Sequence, residues 1–284
     1  MNEAENHLAV EEADAAVPPE SAAVERKRTT VQISVVVPLC NEAENVKPLA
    51  ERVLSSLAPL KTGIELLLVD DGSTDSTWDL VADLHKRDPR IRALRHKRRS
   101  GQSAALWSGL NLARGEILCT LDGDLQNDPA DLPQMIQMLK EADLVCGDRI
   151  NRQDTAFRRI SSRVARWARK AVLGVDFHDT GCNLRVMRRS VLQKVFPFNG
   201  LHRFMPVLAH ISGATVREIP VRHHPRIAGQ TKYGLWNRLG RGIWDLSVMA
   251  WYRKRQINTV QVLELDAAKP GAEHQDGASP LLGR

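Results

Sequence analysis

The sequence predicts an α/β fold in which a mostly parallel sheet carries helices on both of its faces. Strand patterns alternate with helical patterns through the first half of the chain, as repeated βαβ units require. Polar and acidic segments directly follow three of these strands. With 284 residues, of which 43% are hydrophobic, the chain is long enough to bury the core of one domain with appendages.

Each element of this prediction rests on the spacing of apolar residues. The strands are short apolar or β-branched runs, expected at residues 31–39, 64–69, 91–95 and 116–121. The helices repeat apolar residues at helical spacing, and they are expected at residues 42–57, 78–84 and 103–113. Ser73 or Asp75 is the expected N-cap of the second helix, because short polar side chains accept hydrogen bonds from the first turn.

The acidic residues are unevenly distributed along the chain. Residues 1–25 carry seven acidic residues and no Lys or Arg, although the whole chain has a net charge of +6. The remainder is therefore more basic still, which favours an anionic partner such as a nucleotide, a phospholipid or a nucleic acid. Residues 1–30 are expected to be a disordered acidic tail, and residues 258–284 a second disordered tail.

The segments PLCNE (38–42), VDDGSTD (69–75) and LDGDLQ (121–126) end three of the expected parallel strands. Open parallel sheets bind ligands in the crevice at the carboxyl ends of their strands. The acidic residues of any one of these loops are as easily explained by a contribution to solubility. Three acidic loops at one edge of a sheet favour a binding site. Asp122 and Asp124 would need a positively charged partner there, because burying an ionised carboxylate is costly.

Together with the longer segment TLDGDLQNDP (120–129), these segments resemble the N-terminal signatures of the family 2 glycosyltransferases, which have the GT-A fold. More narrowly, they resemble the polyprenyl-phosphate branch of that family, which includes dolichyl-phosphate mannose synthase and bacterial polyprenyl-phosphate glucosyl and aminosugar transferases. The resemblance extends from about Ser34 to about Trp251. It implies a Rossmann-like GT-A catalytic domain at residues 31–232 and C-terminal amphipathic interface helices, with a basic amphipathic helix at residues 233–257.

The resemblance also implies a site for a nucleotide sugar donor, either GDP-mannose or a UDP-hexose. Asp122, Asp124 and Gln126 would hold Mg²⁺ or Mn²⁺ against the diphosphate, since this leaving group needs a divalent cation and such cations prefer oxygen ligands. Asp71 would meet the base or the ribose, and Gln102 would approach the nucleotide from a helix N-terminus. The other residues implied in the nucleotide pocket are Pro38, Glu42, Val69 and Gly123.

Three segments of the C-terminal half resemble acceptor-side motifs of the same branch. They are DTGCNLRVMRRS (179–190), LHRFMP (201–206) and VRHHPRIAGQTKYG (221–234). Arg226, Thr231 and Lys232 would clamp a phosphate, Arg through its fork and Lys as a point charge. A solvated basic loop is the alternative interpretation of these three residues. Arg149 and Arg203 are further candidates to bind the diphosphate or the acceptor phosphate.

The implied acceptor is a polyprenyl or dolichyl phosphate. The second pKa of such a phosphate lies near ~6, so its oxygen is already anionic at neutral pH and needs no general base. Asp179 is therefore expected to orient one of the arginines rather than to take a proton. The expected reaction is one in-line displacement with inversion at C1 of the sugar. The implied catalytic residues are Asp124, Asp179, Arg226 and Lys232.

Two segments indicate contact with an anionic membrane surface. Residues 152–172 place apolar side chains at helical spacing among several basic ones, and residues 235–255 end in the basic triplet RKR. Ordinary helices with solvated basic faces are the alternative. No run of eighteen apolar residues is present, and the four cysteines form no CxxC pair. We therefore expect a cytoplasmic protein, peripheral on the cytoplasmic membrane face, with a membrane-embedded partner subunit as a further candidate partner.

Two other classes of protein are compatible with the sequence. One is a transferase with a soluble or polysaccharide acceptor, although the QxxRW signature of processive synthases is absent. The other is a non-catalytic basic protein that binds a membrane with the same fold. No nucleic-acid partner is expected, because the sequence carries no RNA- or DNA-binding signature.

Overall fold

A computed structural model describes residues 31–149, 156–225 and 235–255, together with residues 261–262 and 279–280. Its strands are β1 Val31–Leu39, β2 Gly63–Asp70, β3 Ile91–Arg95, β4 Ile117–Thr120, β5 Leu144–Asp148, β6 Arg185–Arg188, β7 Val216–Pro220, β8 Gln261–Val262 and β9 Ser279–Pro280. Its α-helices are α1 Ala43–Leu57, α2 Thr77–Arg87, α3 Gln102–Leu112, α4 Leu132–Gln137, α5 Ala156–Leu173, α6 Leu201–Ile211 and α7 Leu235–Arg255.

Strands β1 to β7 form one sheet in the order β3-β2-β1-β4-β6-β5-β7. Strand β1 pairs in parallel with β2 and β4, β2 pairs in parallel with β3, and β5 pairs in parallel with β7. Strand β6 is antiparallel to both of its neighbours, β4 and β5. The predicted mostly parallel sheet is confirmed, whereas β6 and the other strands beyond β4 have no counterpart in the sequence prediction.

The central strands are buried on both faces, which explains why they read as nearly continuous apolar runs. In β1, Val35 and Val37 belong to the core that α1 covers, while Val36 belongs to the core that α3 and α6 cover. Successive residues of a strand point to opposite faces of the sheet. Helices therefore lie on both faces, as the alternating pattern predicts.

The N-cap of the second helix is not one of the two residues that the sequence predicts. The helix starts at Thr77 with Ser76 at the N-cap position, so the expectation that Ser73 or Asp75 is the N-cap is wrong. The Asp75 carboxylate still accepts a hydrogen bond from the Thr77 backbone N–H at 3.0 Å, and Ser73 Oγ accepts one from the Asn41 N–H at 2.9 Å. Ser73 does not cap the helix because its hydroxyl binds the backbone of the loop after β1 and so connects that loop to the loop after β2.

The basic helix predicted at residues 233–257 is α7, which spans residues 235–255. The short strands β8 and β9 pair with each other within residues 258–284, and the disordered tail expected there stays a prediction. The remainder of that tail and residues 1–30 lie outside the described residues. Among the helices that the structure describes, none combines the length and the hydropathy that crossing a bilayer requires.

Candidate active site

A tight acidic turn follows β4 at the carboxyl edge of the sheet. Leu125 has a left-handed backbone with φ of 59°, and the Asp124 carboxylate accepts a hydrogen bond from the Gln126 backbone N–H at 3.2 Å. A Cβ atom at Gly123 would lie 2.6 Å from Leu39 Cδ2 and 3.3 Å from the Pro38 carbonyl oxygen. Glycine therefore lets this turn pack directly against the end of β1 without displacing the buried Leu39 side chain.

The carboxylate of Asp122 joins two separate parts of the chain. Its Oδ1 accepts hydrogen bonds from Gln102 Nε2 at 2.7 Å and from Asn183 Nδ2 at 2.9 Å. Gln102 is the first residue of α3, which is where a helix N-terminus is predicted to meet the nucleotide. Asn183 precedes β6; the motif that contains it is predicted to be functional, but nothing in the sequence singles out this residue.

The charge of Asp124 acts on the neighbouring carboxyl group of Asp122. Burial and the neighbouring charge of Asp124 raise the pKa of Asp122 to about 6, against the opposing influence of Asn183, Arg149 and Arg185. Two acids held together in a partly buried turn fit a divalent cation, which would relieve their repulsion. The described residues bring together no group of three or more His, Cys, Asp or Glu side chains that could hold a metal alone.

Gln126, the third predicted metal ligand, is placed in the same turn. Its backbone N–H bonds to Asp124, and its carbonyl oxygen accepts a hydrogen bond from the His224 N–H at 2.8 Å. Both contacts involve the backbone of Gln126, so coordination by its side chain stays a prediction.

Asp71 fastens the loop that leads into α3. Its two carboxylate oxygens accept hydrogen bonds from the Ser100 N–H at 2.8 Å and the Gly101 N–H at 2.7 Å, and His96 Nδ1 lies 2.8 Å from Oδ1. The side chain is buried, so in this arrangement Asp71 positions Gln102 through the backbone of the preceding loop. Contact of Asp71 with a base or ribose stays a prediction.

The other residues predicted to line the nucleotide pocket lie at the same edge of the sheet. Pro38 of β1 is the register partner of Val69 of β2. Glu42 follows β1, its N–H donates to Thr77 Oγ1 at 2.9 Å, and its carboxylate accepts from Asn45 Nδ2 at 2.7 Å. The structure therefore gathers these residues as the parallel topology predicts, while their contact with a nucleotide stays a prediction.

Arg149 and Asp179 form a forked ion pair just beyond β5. Arg149 Nε donates to Asp179 Oδ2 at 2.5 Å, and Arg149 Nη2 donates to Asp179 Oδ1 at 2.9 Å. Burial opposes a charged guanidinium, but the bonds to Asp179 raise the pKa of Arg149 above its ordinary value. Asp122 and Arg149 also influence one another's pKa, so this cation lies within electrostatic reach of the acidic turn. The arginine that Asp179 orients is therefore Arg149.

Glu218 of β7 holds the loop that carries Asp179. Its two carboxylate oxygens accept hydrogen bonds from the backbone N–H groups of His178 at 2.9 Å and of Asp179 at 3.0 Å. Sequence reasoning missed this residue, because Glu218 and Asp179 meet only through the pairing of distant strands.

Arg203 forms an ion pair within the described structure. Its Nη2 donates to Asp245 Oδ2 of α7 at 2.9 Å. This contact links α6 to α7, so the described geometry gives Arg203 a role between helices, and its contact with a phosphate stays a prediction.

The segment before the predicted phosphate clamp is fastened to the acidic turn. His224 N–H bonds to the Gln126 carbonyl oxygen, and His224 Nε2 lies 3.2 Å from Asp128 Oδ2. Arg222 Nη2 donates to Asp131 Oδ1 at 2.7 Å. The clamp residues Arg226, Thr231 and Lys232 themselves lie outside the described residues, so the clamp stays a prediction.

Helices α5 and α7 present large aromatic side chains to the outside. Trp167 is 71% exposed, Trp244 is 73% exposed and Trp251 is 63% exposed. These three tryptophans define what we call the tryptophan surface. Exposed basic residues on the same two helices are Arg163, Lys170, Arg253, Lys254 and Arg255. The buried side of α7 includes Met249 and Asp245, so α7 has the two-faced character that the sequence predicts.

Comparisons with known proteins agree with this architecture. A model of the family described as Glycosyl transferase family 2 matches residues 34–196. Dodecaprenyl-phosphate galacturonate synthase of Rhizobium johnstonii is 40% identical over 231 residues, which cover 79% of this chain and 68% of that protein. Undecaprenyl-phosphate 4-deoxy-4-formamido-L-arabinose transferase of Yersinia pestis is 35% identical over 217 residues, which cover 76% of this chain and 66% of that protein. The chain thus spans about two thirds of the length of these relatives.

A solved structure of glucosyl-3-phosphoglycerate synthase from Mycobacterium tuberculosis, in complex with Mn²⁺, uridine diphosphate and phosphoglyceric acid, matches with a TM-score of 0.57. It is 21% identical and the match covers 82% of both chains, so this likeness supports the fold. The sequence-based identification of the family and of its polyprenyl-phosphate branch is confirmed by the family match and by the two relatives. Because the family match covers more than half of the chain, the chain belongs to glycosyl transferase family 2.

Proposed function

We propose that this protein is a metal-dependent, inverting glycosyltransferase that moves a sugar from a nucleotide sugar to a polyprenyl phosphate at the surface of an anionic membrane. One observation carries the proposal: the Asp122 carboxylate, held by Gln102 and Asn183 beside Asp124, lies at the sheet edge within electrostatic reach of the Arg149 guanidinium. A diphosphate donor needs a cation, which the acids would hold. A phosphate acceptor needs a fixed arginine.

The acidic turn supports the donor half of the proposal. Bound Mg²⁺ or Mn²⁺ would neutralise charge on the departing nucleoside diphosphate. Gln102 and Asn183 fix the orientation of the Asp122 carboxylate through its Oδ1, which leaves Oδ2 as the atom for a ligand. The first turn of α3 adds backbone N–H groups and the positive end of a helix dipole beside this carboxylate, which also favours a phosphate.

The pair of Arg149 and Asp179 supports the acceptor half. A phosphate monoester is already anionic at neutral pH, so it needs a cation that positions its oxygen rather than a base. Asp179 donates no proton in this role; it holds the guanidinium plane of Arg149. The names of the relatives, which specify dodecaprenyl phosphate and undecaprenyl phosphate, favour a polyprenyl phosphate as the acceptor. Arg226 and Lys232 would complete the phosphate clamp.

The function can be tested directly by a transfer assay. The protein is incubated with polyprenyl phosphate, Mg²⁺ or Mn²⁺, and a panel of UDP- and GDP-sugars that includes uronic acids, aminosugars, glucose and mannose. We expect one donor to yield a polyprenyl monophosphate sugar with inverted C1 configuration, and chelation of the metal by EDTA to stop the reaction. Polyprenol without its phosphate serves as the control acceptor. Absence of transfer from every donor, or retention at C1, would contradict the proposal.

The tryptophan surface predicts binding to anionic vesicles. Replacing Trp167, Trp244 and Trp251 with serine should weaken binding by on the order of tenfold for each indole removed, because each buries apolar surface at the lipid boundary. Flotation with vesicles that contain anionic lipid measures this. Leu112→Ser is the control, since Leu112 is exposed on α3 and lies outside the tryptophan surface. Equal flotation of the triple variant and the unmodified protein would exclude this surface as the membrane contact.

A further inference from the structure

The N-termini of α3 and α6 meet through one serine. Ser103 Oγ accepts a hydrogen bond from the Gly200 backbone N–H at 3.1 Å and lies 2.7 Å from His202 Nδ1. Ser103 directly follows Gln102, which bonds to Asp122. His202 of LHRFMP, the motif in which only Arg203 has a predicted role, and the glycine that precedes this motif are thereby attached to the donor side of the site.

These contacts decide which nitrogen of His202 carries the proton. Ser103 is buried, and no described residue other than His202 offers an acceptor to its hydroxyl. If Nδ1 of His202 carried the proton, the Ser103 hydroxyl would receive two hydrogen bonds and its own proton would have no acceptor, which is costly in a buried position. The hydroxyl therefore donates to Nδ1, and the proton of the neutral ring lies on Nε2. The ring makes no other hydrogen bond to a described residue.

The surroundings keep this ring neutral. Burial, and then the positive charges of Arg203 and Arg185, lower the pKa of His202 to about 3. The ring therefore stays uncharged at any pH at which the protein is expected to be active. Arg185 acts on the pKa of Asp122 as well, which places His202 and the acidic turn in one electrostatic neighbourhood.

We propose that His202 is a further substrate-binding residue of the active site, and that its Nε2–H donates a hydrogen bond to a phosphate oxygen of the substrates. The inference rests on the proposed function. Phosphate is the chemistry that fits, because the ring lies in the first turn of α6 in contact with the first turn of α3, and the charges of Arg203 and Arg185 add positive potential there. The phosphate belongs either to the donor diphosphate or to the acceptor, and a binding experiment separates these sources.

The arrangement also excludes a role as general base. A ring whose Nδ1 is occupied by a hydroxyl donor and whose Nε2 is protonated has no nitrogen lone pair with which to take a proton. This agrees with an acceptor oxygen that is anionic before the reaction. His202 therefore binds and orients without changing its protonation during turnover.

The test compares His202→Gln, which keeps an N–H donor near the position of Nε2, with His202→Phe, which keeps a ring and loses the donor. His210→Phe on the exposed end of the same helix is the control. Calorimetry with the nucleoside diphosphate and Mn²⁺ reports donor-side affinity, and steady-state rates at varied polyprenyl phosphate report acceptor KM and kcat. Thermal unfolding shows that each variant is folded.

We expect His202→Phe to lose about 10- to 100-fold in nucleotide affinity if the phosphate belongs to the donor, or in kcat/KM for the acceptor if it belongs to the acceptor. His202→Gln should recover most of that loss. The pH profile of His202→Gln should keep the shape of the unmodified protein, since no titration of this ring takes part. Ser103→Ala, which removes the group that fixes the tautomer, should lose less than His202→Phe.

Several results would overturn the inference. In one, His202→Phe and His210→Phe behave alike in both measurements while the unmodified protein transfers sugar, which leaves the proposed function standing. In another, His202→Gln and His202→Phe lose activity equally, which would show that the N–H donor is not the property of His202 on which activity depends. If His202→Phe does not fold, His202→Gln and Ser103→Ala decide: a change in the shape of the pH profile of either variant would contradict a neutral donor. No transfer by the unmodified protein would instead refute the proposed function itself.

Discussion

Replacing Asp124 with asparagine is expected to reduce turnover by about a thousandfold or more while the protein stays folded, because a bound cation contributes several kcal/mol of stabilisation to the transition state. The amide oxygen of asparagine can still accept the hydrogen bond from the Gln126 N–H, so the turn is retained. Removing one of two neighbouring acids also removes their repulsion. The metal-free variant should therefore unfold at the same temperature as the unmodified protein, or at a higher one.

The measurement for Asp124→Asn combines turnover at saturating donor with calorimetric titration of Mn²⁺ in the presence of the nucleoside diphosphate. Asp83→Asn on α2 is the control, since Asp83 pairs on the surface with Arg87 at 2.9 Å. A variant that keeps full turnover would show that the metal site is elsewhere. A lower unfolding temperature without metal would show that Asp124 serves mainly to hold the turn together.

Replacing Arg149 with methionine should lower kcat/KM for polyprenyl phosphate by at least about a hundredfold, because each hydrogen bond between a guanidinium and a phosphate contributes about 1.5–3 kcal/mol. The pair with Asp179 is also largely buried, with side-chain exposures of 13% and 11%. Removing one partner of such a pair costs roughly 3–5 kcal/mol of folding free energy. The unfolding temperature must therefore be measured with the rate.

Arg149→Lys is the second variant at this position. It keeps the positive charge and loses the fork, so most of the stability should return while much of the rate loss persists. Arg87→Met, a change of the same kind at an exposed position, is the control. If Arg149→Met weakened binding of the nucleoside diphosphate instead of raising KM for the acceptor, Arg149 would belong to the donor diphosphate and the acceptor assignment would be wrong.

The first half of the fold could be read from the sequence because local patterns determine it. The runs in β1 and β2 are buried on both faces, and the helices between strands repeat apolar residues at their own spacing. The acidic turn was equally visible, since Asp122, Asp124 and Gln126 are adjacent in the chain. Strand β6 was not, because its four residues pair with strands far away along the chain.

The missed residues of the site share this physical cause. Asn183 reaches Asp122 across 61 positions, and Ser103 reaches His202 across 99. Asn183 and Ser103 belong to no distinctive local pattern. Asn183 gains its role from a strand pairing, and Ser103 gains its role from a contact between helices. The contact between Arg203 Nη2 and Asp245 Oδ2, at 2.9 Å, likewise depends on how two helices pack and could not be predicted from either local pattern.

The reversed strand β6 has a consequence for how the two substrates are held. Because it runs against β4 and β5, its amino end lies at the edge where the carboxyl ends of those strands lie. The five residues 179–183 that lead into it therefore carry both the aspartate that fixes Arg149 and the asparagine that fixes Asp122. One short peptide therefore positions both Asp122, which we propose for the donor side, and Arg149, which we propose for the acceptor, so a change in its length should displace both residues at once.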